Sequence, residues 1–388
     1  MGAHPATSGP SRKPLESAIQ GEGCYDGLAM NLLALYEKLE ALLHRLPPGI
    51  HQPVLRELEP LKTLFLEQRP PRLVLLGDRS VSRAAIINQL FGTAVARPSD
   101  DAAQSGLWDA YSLGGRGTLR LLDARRPLPR AILSRPVGAE SGDLYLYVRG
   151  GAGLGESTAA DLDHAVEVLG YADLQHEARP KLLGIQMGDD SGEDDRLELH
   201  GALFTKPALA DRTVGVVLAS NRLKLVEQIA VELPGESQLE MARLSHNREL
   251  QRQIAGVLTK SITAICGAVG AQPIPLADFP ILTSLQATLV ASIAHISGRE
   301  FNVRLAGEFL GALGANIGAG LVLREGARAA VKLIPGWGSA ISGGFAAAGT
   351  YAVGRAAVGY FIDGVSLPDA RSMFRKKRKP AALLKEKE

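Results

Sequence analysis

Residues 72–92 read RLVLLGDRSVSRAAIINQLFG. The run Leu73-Val74-Leu75-Leu76 is apolar without interruption and ends at Gly77. Such a run predicts a strand buried on both faces. An amphipathic stretch starts near Ser82 and carries Ile86, Ile87, Leu90 and Phe91 before Gly92. A glycine-led turn between a strand and a helix is where phosphate binds, because backbone N–H groups and the helix N-terminus point at it.

The working phosphate loop reads G-x-x-x-x-G-K-[ST]. The eight positions here are Gly77-Asp78-Arg79-Ser80-Val81-Ser82-Arg83-Ala84. Only the first glycine is kept. Ser82 takes positive φ less readily than glycine. Arg83 keeps a charge but offers a planar fork where a point-like ammonium fits. Ala84 has no oxygen for Mg²⁺. Asp78 adds a negative charge beside the seat.

Outward from this loop, further apolar runs at 107–113, 118–123, 143–150, 181–187 and 213–220 predict strands. Helical patterns lie near 82–91, 157–170, 199–210 and 222–233. That alternation predicts a mostly parallel sheet flanked by helices. Upstream, Leu28, Leu32, Leu35, Leu39, Leu42 and Leu46 form one stripe over 26–46. LPPGIHQP (46–53) is expected to break that helix. A second helix should follow, with Val54, Leu58, Leu61 and Phe65 on one face. The pair reads as a helical hairpin packed on the rest of the chain, with a dimerising coiled coil as the alternative.

After about residue 235 the periodicity is helical and small residues accumulate. Fifteen glycines fall between Gly298 and Gly364. Some sit four apart from other small residues (Gly307, Gly311, Ala315, Ala319; Gly343, Ala347), which lets helix backbones approach closely. Residues 273–286 hold Pro273, Pro275 and Pro280 and read as a rigid entry to a helix that Asp278 caps. The stretches 305–323 and 340–362 are apolar enough to raise the question of a membrane, but a Gly/Ala-packed bundle is the simpler reading.

The chain has 388 residues, of which 46% are apolar and 22% charged, enough for a sizeable core. Its two cysteines, Cys24 and Cys266, have no metal-ligand spacing, and no metal site is expected. Residues 371–388 carry eight basic and two acidic side chains, so the net +2 of the chain hides a basic tail on a slightly acidic body. Scarce aromatics (5%) disfavour nucleic acid as a partner. Residues 1–14 show no signal peptide, and Ala6 breaks the myristoylation pattern; the segment reads as a disordered leader. GGAGLG (150–155) misses the dinucleotide spacing and reads as a connection. The acidic run 189–195 lacks a calcium-loop pattern and reads as a solvated loop.

In this context the segment 71–235 resembles the Era-like GTPase domain, one of the P-loop GTPases. INQLFG (87–92) after the loop and the order of later elements carry the resemblance. The family motifs appear worn at their expected places. D-x-x-G stands as Asp123-Ala124-Arg125-Arg126, N-K-x-D as Gln186-Met187-Gly188-Asp189, and the S-A loop as Ala219-Ser220-Asn221. No switch threonine stands out between 93 and 106. Downstream, PIPLADFPILTSLQ (273–286), ISGRE (296–300), IPGWGSAISGG (334–344) and GTYAVGR (349–355) resemble the YcjF-type helical domain of unknown function, which often follows Era-like domains in bacteria.

The resemblance implies an α/β fold with a P-loop GTPase-like, mostly parallel sheet flanked by helices. An N-terminal helical hairpin precedes it, and a Gly/Ala-rich all-α domain follows. The expected divisions are 1–14, 15–70, 71–235, 236–366 and a basic tail, 367–388. The vestigial nucleotide positions implied are Gly77, Ser82, Arg83, Ala84, Asp123, Gln186, Asp189 and Ser220. No catalytic residue is expected. GTP or GDP with Mg²⁺ is the only cofactor the family suggests, and the worn motifs argue against it. Arg375, Lys376, Lys377, Arg378 and Lys379 could meet an anionic lipid surface. The expected function is a pseudo-GTPase scaffold or regulatory module, cytoplasmic or peripheral at the inner membrane face. Its helical domain would bind a protein partner, a second copy or the membrane. The alternatives are an active GTPase with atypical motifs and a membrane-inserted structural protein.

Overall fold

The computed structural model describes residues 48–65, 67–97, 107–113, 116–125, 140–151, 156–175, 179–188, 192–271, 278–314 and 338–377. The leader, the helix expected at 26–46, Arg126, Asp189, Arg378 and Lys379 lie outside these residues.

The α/β part begins after helix α1 (Pro48–Phe65). Its elements are β1 (Arg72–Gly77), α2 (Arg83–Phe91), β2 (Trp108–Leu113), β3 (Gly117–Asp123), β4 (Leu144–Arg149), α3 (Glu156–Gln175), β5 (Leu182–Gln186), α4 (Glu193–Phe204), α5 (Pro207–Ala210), β6 (Thr213–Leu218) and α6 (Arg222–Glu232). All six strands expected from sequence are present. They form one sheet in the order β2-β3-β1-β4-β5-β6. Only β2 is antiparallel, paired with β3. β1 lies centrally, parallel to both β3 and β4. This mostly parallel sheet with helices on both faces is the P-loop GTPase-like fold class expected from the sequence.

The continuous apolar strands work because both faces are covered. Leu73 and Leu75 point to one side, and Val74 and Leu76 to the other, by the two-residue period of a strand. Val74 and Leu76 share a buried cluster with Leu162, Ala165 and Leu169 of α3 and Leu199 and Leu203 of α4. Leu73 and Leu75 belong to a cluster that takes in α2 and α6 and continues into the helical part. Each leucine so buried is worth about 1.5–3 kcal/mol.

The helical part comprises α7 (Gly235–Ser245), α8 (Arg248–Gly270), α9 (Asp278–Ile296), α10 (Val303–Leu313), α11 (Gly338–Val358) and α12 (Leu367–Lys377). A π-turn, Gly359–Asp363, follows α11. α8 and α11 cross closely at small residues. A Cβ on Gly343 would lie 2.7 Å from the Gly267 carbonyl oxygen, and one on Gly267 would touch Ala347. Gly307 and Gly311 do the opposite: nothing lies within 4 Å of a Cβ there, and both are exposed. Of the described positions with this spacing, 343 and 347 mark a helix crossing and 307 and 311 do not; Ala315 and Ala319 lie outside the described residues. Among the described residues one helix, Arg248–Gly270, is long and apolar enough to cross a membrane, and 56% of its apolar window is buried inside the fold. The stretch named from sequence, 340–362, is not that helix.

Several boundaries differ from expectation, each for a local reason. The break read at 46–53 is mostly helix: α1 opens at Pro48, a first-turn position where a missing N–H costs nothing. The pattern at 199–210 divides at Pro207, which starts α5. The acidic run is only partly a loop. Glu193, Asp194 and Asp195 form the first turn of α4, where negative charge complements the helix dipole, and Asp195 accepts from Gly192 N at 2.8 Å. Asp278 is the first residue of α9. The segment read as a basic tail begins as α12, whose Ala370 and Phe374 are buried in the core.

Two glycines of equal helix propensity should thus respond oppositely. Gly343→Val should cost about 1–3 kcal/mol, because the backbone of α8 must move to admit it. Gly307→Ala should be neutral or stabilising by up to about 1 kcal/mol, since it gains helix propensity in open space. Urea unfolding followed by circular dichroism measures both.

Candidate functional site

The site expected from sequence lies at the carboxyl ends of β1, β3, β4 and β5. Gly77 ends β1 at φ +93°, and a Cβ there would overlap the Val148 carbonyl oxygen. The glycine is required by close approach to β4 as well as by its φ. Asp78 follows, and its N–H donates to Val148 O at 2.8 Å. Its carboxylate turns back onto the loop: Oδ1 accepts from Ser80 N at 2.7 Å and Oδ2 from Gly150 N at 3.2 Å. Two backbone donors near the seat are therefore engaged by a side chain of the loop itself.

Arg125, just beyond β3, fills the other half of the seat. It is 6% exposed. Its Nε and Nη2 donate to the two oxygens of Asp123 at 2.9 and 2.7 Å. Its Nη1 donates to the Asp78 carbonyl at 3.1 Å and the Val81 carbonyl at 2.5 Å. Arg79 Nε donates in turn to Arg125 O at 3.0 Å. One guanidinium thus joins the carboxylate after β3 to the loop after β1. Burial works to raise the Asp123 carboxyl; the hydrogen bonds and charge of Arg125, helped by the charge of Arg83, outweigh it and hold the group below its usual range. Across the seat, Asp161 of α3 is shifted upward by burial; Arg79 and His164 oppose the shift and the Asp78 charge adds to it.

Ser82 has φ −62° and ψ 126°, so no positive φ is needed. Its Oγ accepts from Ala85 N at 3.2 Å and caps α2. Arg83, at the lysine position, is 2% exposed and bonds Asp109 of β2 at 2.6 Å, with its guanidinium 6.0 Å from the Tyr111 ring centre. That charge serves the edge strand rather than the loop. Ala84 is buried in the core cluster. Ser220 is exposed in the turn after β6.

Gln186 is fully buried at the end of β5, opposite Arg149 in the parallel register. Its Oε1 accepts from Arg149 Nε at 2.7 Å, and its Nε2 donates to Met187 O at 3.2 Å and Gly151 O at 3.4 Å. Arg149 is 3% exposed and also donates to Asp195 O at 2.8 Å. The sheet end therefore brings together Gly77, Ser82 and Asp123, commits Arg83 and Gln186 to other partners, and leaves Ser220 apart. Sequence reading passed over Arg125 and Arg149. Arg125 had a signal: it stands two residues after Asp123, and in extended chain i and i+2 share a side.

No family model matches this chain, and no curated protein matches it. Among solved structures, a crystal structure titled as Era in complex with MgGDPNP and nucleotides 1506–1542 of 16S ribosomal RNA is similar at 13% identity, over 51% of this chain and 68% of that one, with a TM-score of 0.28. A likeness that low does not bear on function.

Arg125→Met should destabilise the fold by about 3–5 kcal/mol, because it leaves the Asp123 carboxylate without its buried partner. The pH dependence has a definite sign. The Asp123 contribution is complete above the ordinary carboxyl pKa and is lost as pH falls through the depressed folded value. The stability gap between the native chain and Asp123→Asn, measured by urea denaturation, should therefore close below about pH 4.

Proposed function

We propose that this protein is a GTP-binding-protein-like scaffold: a pseudo-GTPase whose α/β half does not turn over nucleotide. The helical half would carry the association with a protein partner, a second copy or the inner face of a membrane. The observation that supports this is the Arg125 guanidinium. It occupies two carbonyls and the carboxylate around the loop, while Asp78 occupies the amides of Ser80 and Gly150. A nucleotide would have to displace both, and a β-phosphate would meet the charge of Asp78 with no lysine to offset it.

Titration calorimetry of the full chain with GTP and GDP, each with and without Mg²⁺, tests the proposal. No heat at millimolar nucleotide is expected. Micromolar, guanine-specific binding that needs Mg²⁺ would reverse it and make the active-GTPase alternative the better one.

Peripheral membrane association, as part of the same proposal, draws on Arg375 and Lys376, which are exposed near the end of α12. A protein so held should leave membranes on carbonate washing. The double variant Arg375→Gln/Lys376→Gln should bind anionic vesicles about fivefold more weakly per charge removed, at about 1 kcal/mol per basic residue. Retention after carbonate would favour insertion instead.

A further inference from the structure

The helix that starts at the filled loop, α2, ends at a second site with the opposite electrostatic character. Gly92 caps it at φ +68°, and a Cβ there would lie 2.6 Å from Arg222 Cζ. Arg222, the first residue of α6, is fixed by three carbonyls. Its Nε donates to Gln89 O at 3.0 Å, and its Nη2 to Leu90 O at 3.2 Å and Ser245 O at 2.5 Å. Its remaining nitrogen, Nη1, has no partner among the described residues and is not enclosed. Next to Ser245 stands His246, exposed and at φ +51°, which among the described residues is the one side-chain-bearing residue in the left-handed region. Its ring packs against Gly298 and makes no hydrogen bond. The third group is Arg116, at the β2–β3 hairpin beside Gly117. It too makes no hydrogen bond or ion pair.

We propose that Arg116, Arg222 and His246 form a binding site for a phosphate monoester, at the seam where the β2–β3 hairpin, the end of α2 and the helical half meet.

Arg222 holds the Ser245 carbonyl next to His246, and Arg116 stands beside Gly117, which lies against Glu240 of α7; among the described residues none of the three makes an ion pair with a carboxylate. Their charges act on one another: burial, then Arg116 and Arg222, press the His246 pKa down, and burial and Arg116 press that of Arg222 down. Glu300, two residues beyond Gly298, is exposed and makes no ion pair among the described residues, while two acids on the adjoining helices are committed elsewhere. Glu240 of α7 accepts from Thr118 N at 2.6 Å and pairs with Arg243. Glu249 of α8 pairs with Arg252. On the Gly298 side, Arg299 lies over the Phe361 ring and His295 is 1% exposed. Arg248, two residues after His246, opens α8 and is exposed. Like charges held together cost energy, and a dianion offsets that cost. A phosphate monoester is mostly dianionic near neutral pH and presents three acceptor oxygens, one for each donor here. The site lies at the far end of α2 from the Arg125 loop and does not depend on whether nucleotide binds there.

The test follows the His246 imidazole by NMR in the full chain, with the signal assigned by its loss in His246→Asn. Asparagine tolerates the left-handed backbone. Inorganic phosphate is the probe, titrated against chloride at matched ionic strength. A saturable shift of the His246 resonances is expected, with the imidazole midpoint raised by about one unit, as an adjacent anion does. Arg116→Ser, which breaks no bond within the protein, should weaken phosphate binding at least tenfold while leaving the unfolding midpoint unchanged. A second arm uses flotation with phosphatidic acid vesicles against phosphatidylcholine vesicles. Flotation abolished by Arg116→Ser assigns the phosphate to a lipid headgroup. Saturable binding of phosphate without flotation assigns it to a soluble ester. No saturable shift at tens of millimolar phosphate, or the same shift in Arg116→Ser, overturns the proposal.

Discussion

A buried guanidinium must have its donors satisfied, and around Arg125 that requirement shapes the site. Taking such a charge out of water costs several kcal/mol, and only good geometry repays it. Here two carboxylate oxygens and two carbonyls supply it. The carbonyls of Asp78 and Val81 must then face inward, which sets the course of the loop between β1 and α2. Asp123 must stay ionised, which is why its pKa lies low despite burial. A phosphate loop is ordinarily an arrangement of donors awaiting an anion. In the loop after β1, the Ser80 amide and the carbonyls of Asp78 and Val81 are already matched within the chain.

A less complete version recurs along the sheet end, where Arg149 Nη1 is buried without a hydrogen bond among the described residues. Arg83 and Arg149 are as buried as Arg125, and each is held by a neighbouring strand or helix: Arg83 by Asp109 of β2, Arg149 by Gln186 of β5 and the start of α4. Three cations in the region where a nucleotide would lie have thus become struts between elements. Arg222, held by backbone carbonyls with no acidic partner among the described residues, stands at the other end of α2.

The two halves are joined more firmly than by a linker. One face of the sheet shares its apolar cluster with the helical part. Polar ties reinforce that contact. Asp143 before β4 takes Arg69 through both oxygens, at 2.8 and 2.6 Å, and Ser237 of α7 donates to it at 3.1 Å. Glu240 reaches from α7 to the hairpin, where Gly117 leaves room for its carboxylate. The hairpin and α7 are therefore in direct contact through Glu240.

The strands, the strand–helix alternation and the helical second half were legible because apolar periodicity is local: Leu73 to Leu76 can satisfy their surroundings only as a strand covered on both faces. The worn motifs were legible too, since Ala84 cannot ligate a metal in any fold. What residue types alone could not decide was the destination of each charge. Arg83 sat in the lysine position of the motif, yet the antiparallel edge strand brings Asp109 within 2.6 Å and claims it. Arg125 fell at an unrestricted position of D-x-x-G and drew no reading, yet the β1–β3 pairing sets it beside the loop it fills. The glycines at 307 and 343 have the same spacing to their small neighbours, and only the crossing of α8 and α11 makes one a close contact and leaves the other in the open. Long side chains reach across elements that are far apart in sequence, so their partners are fixed by topology, which no local pattern records.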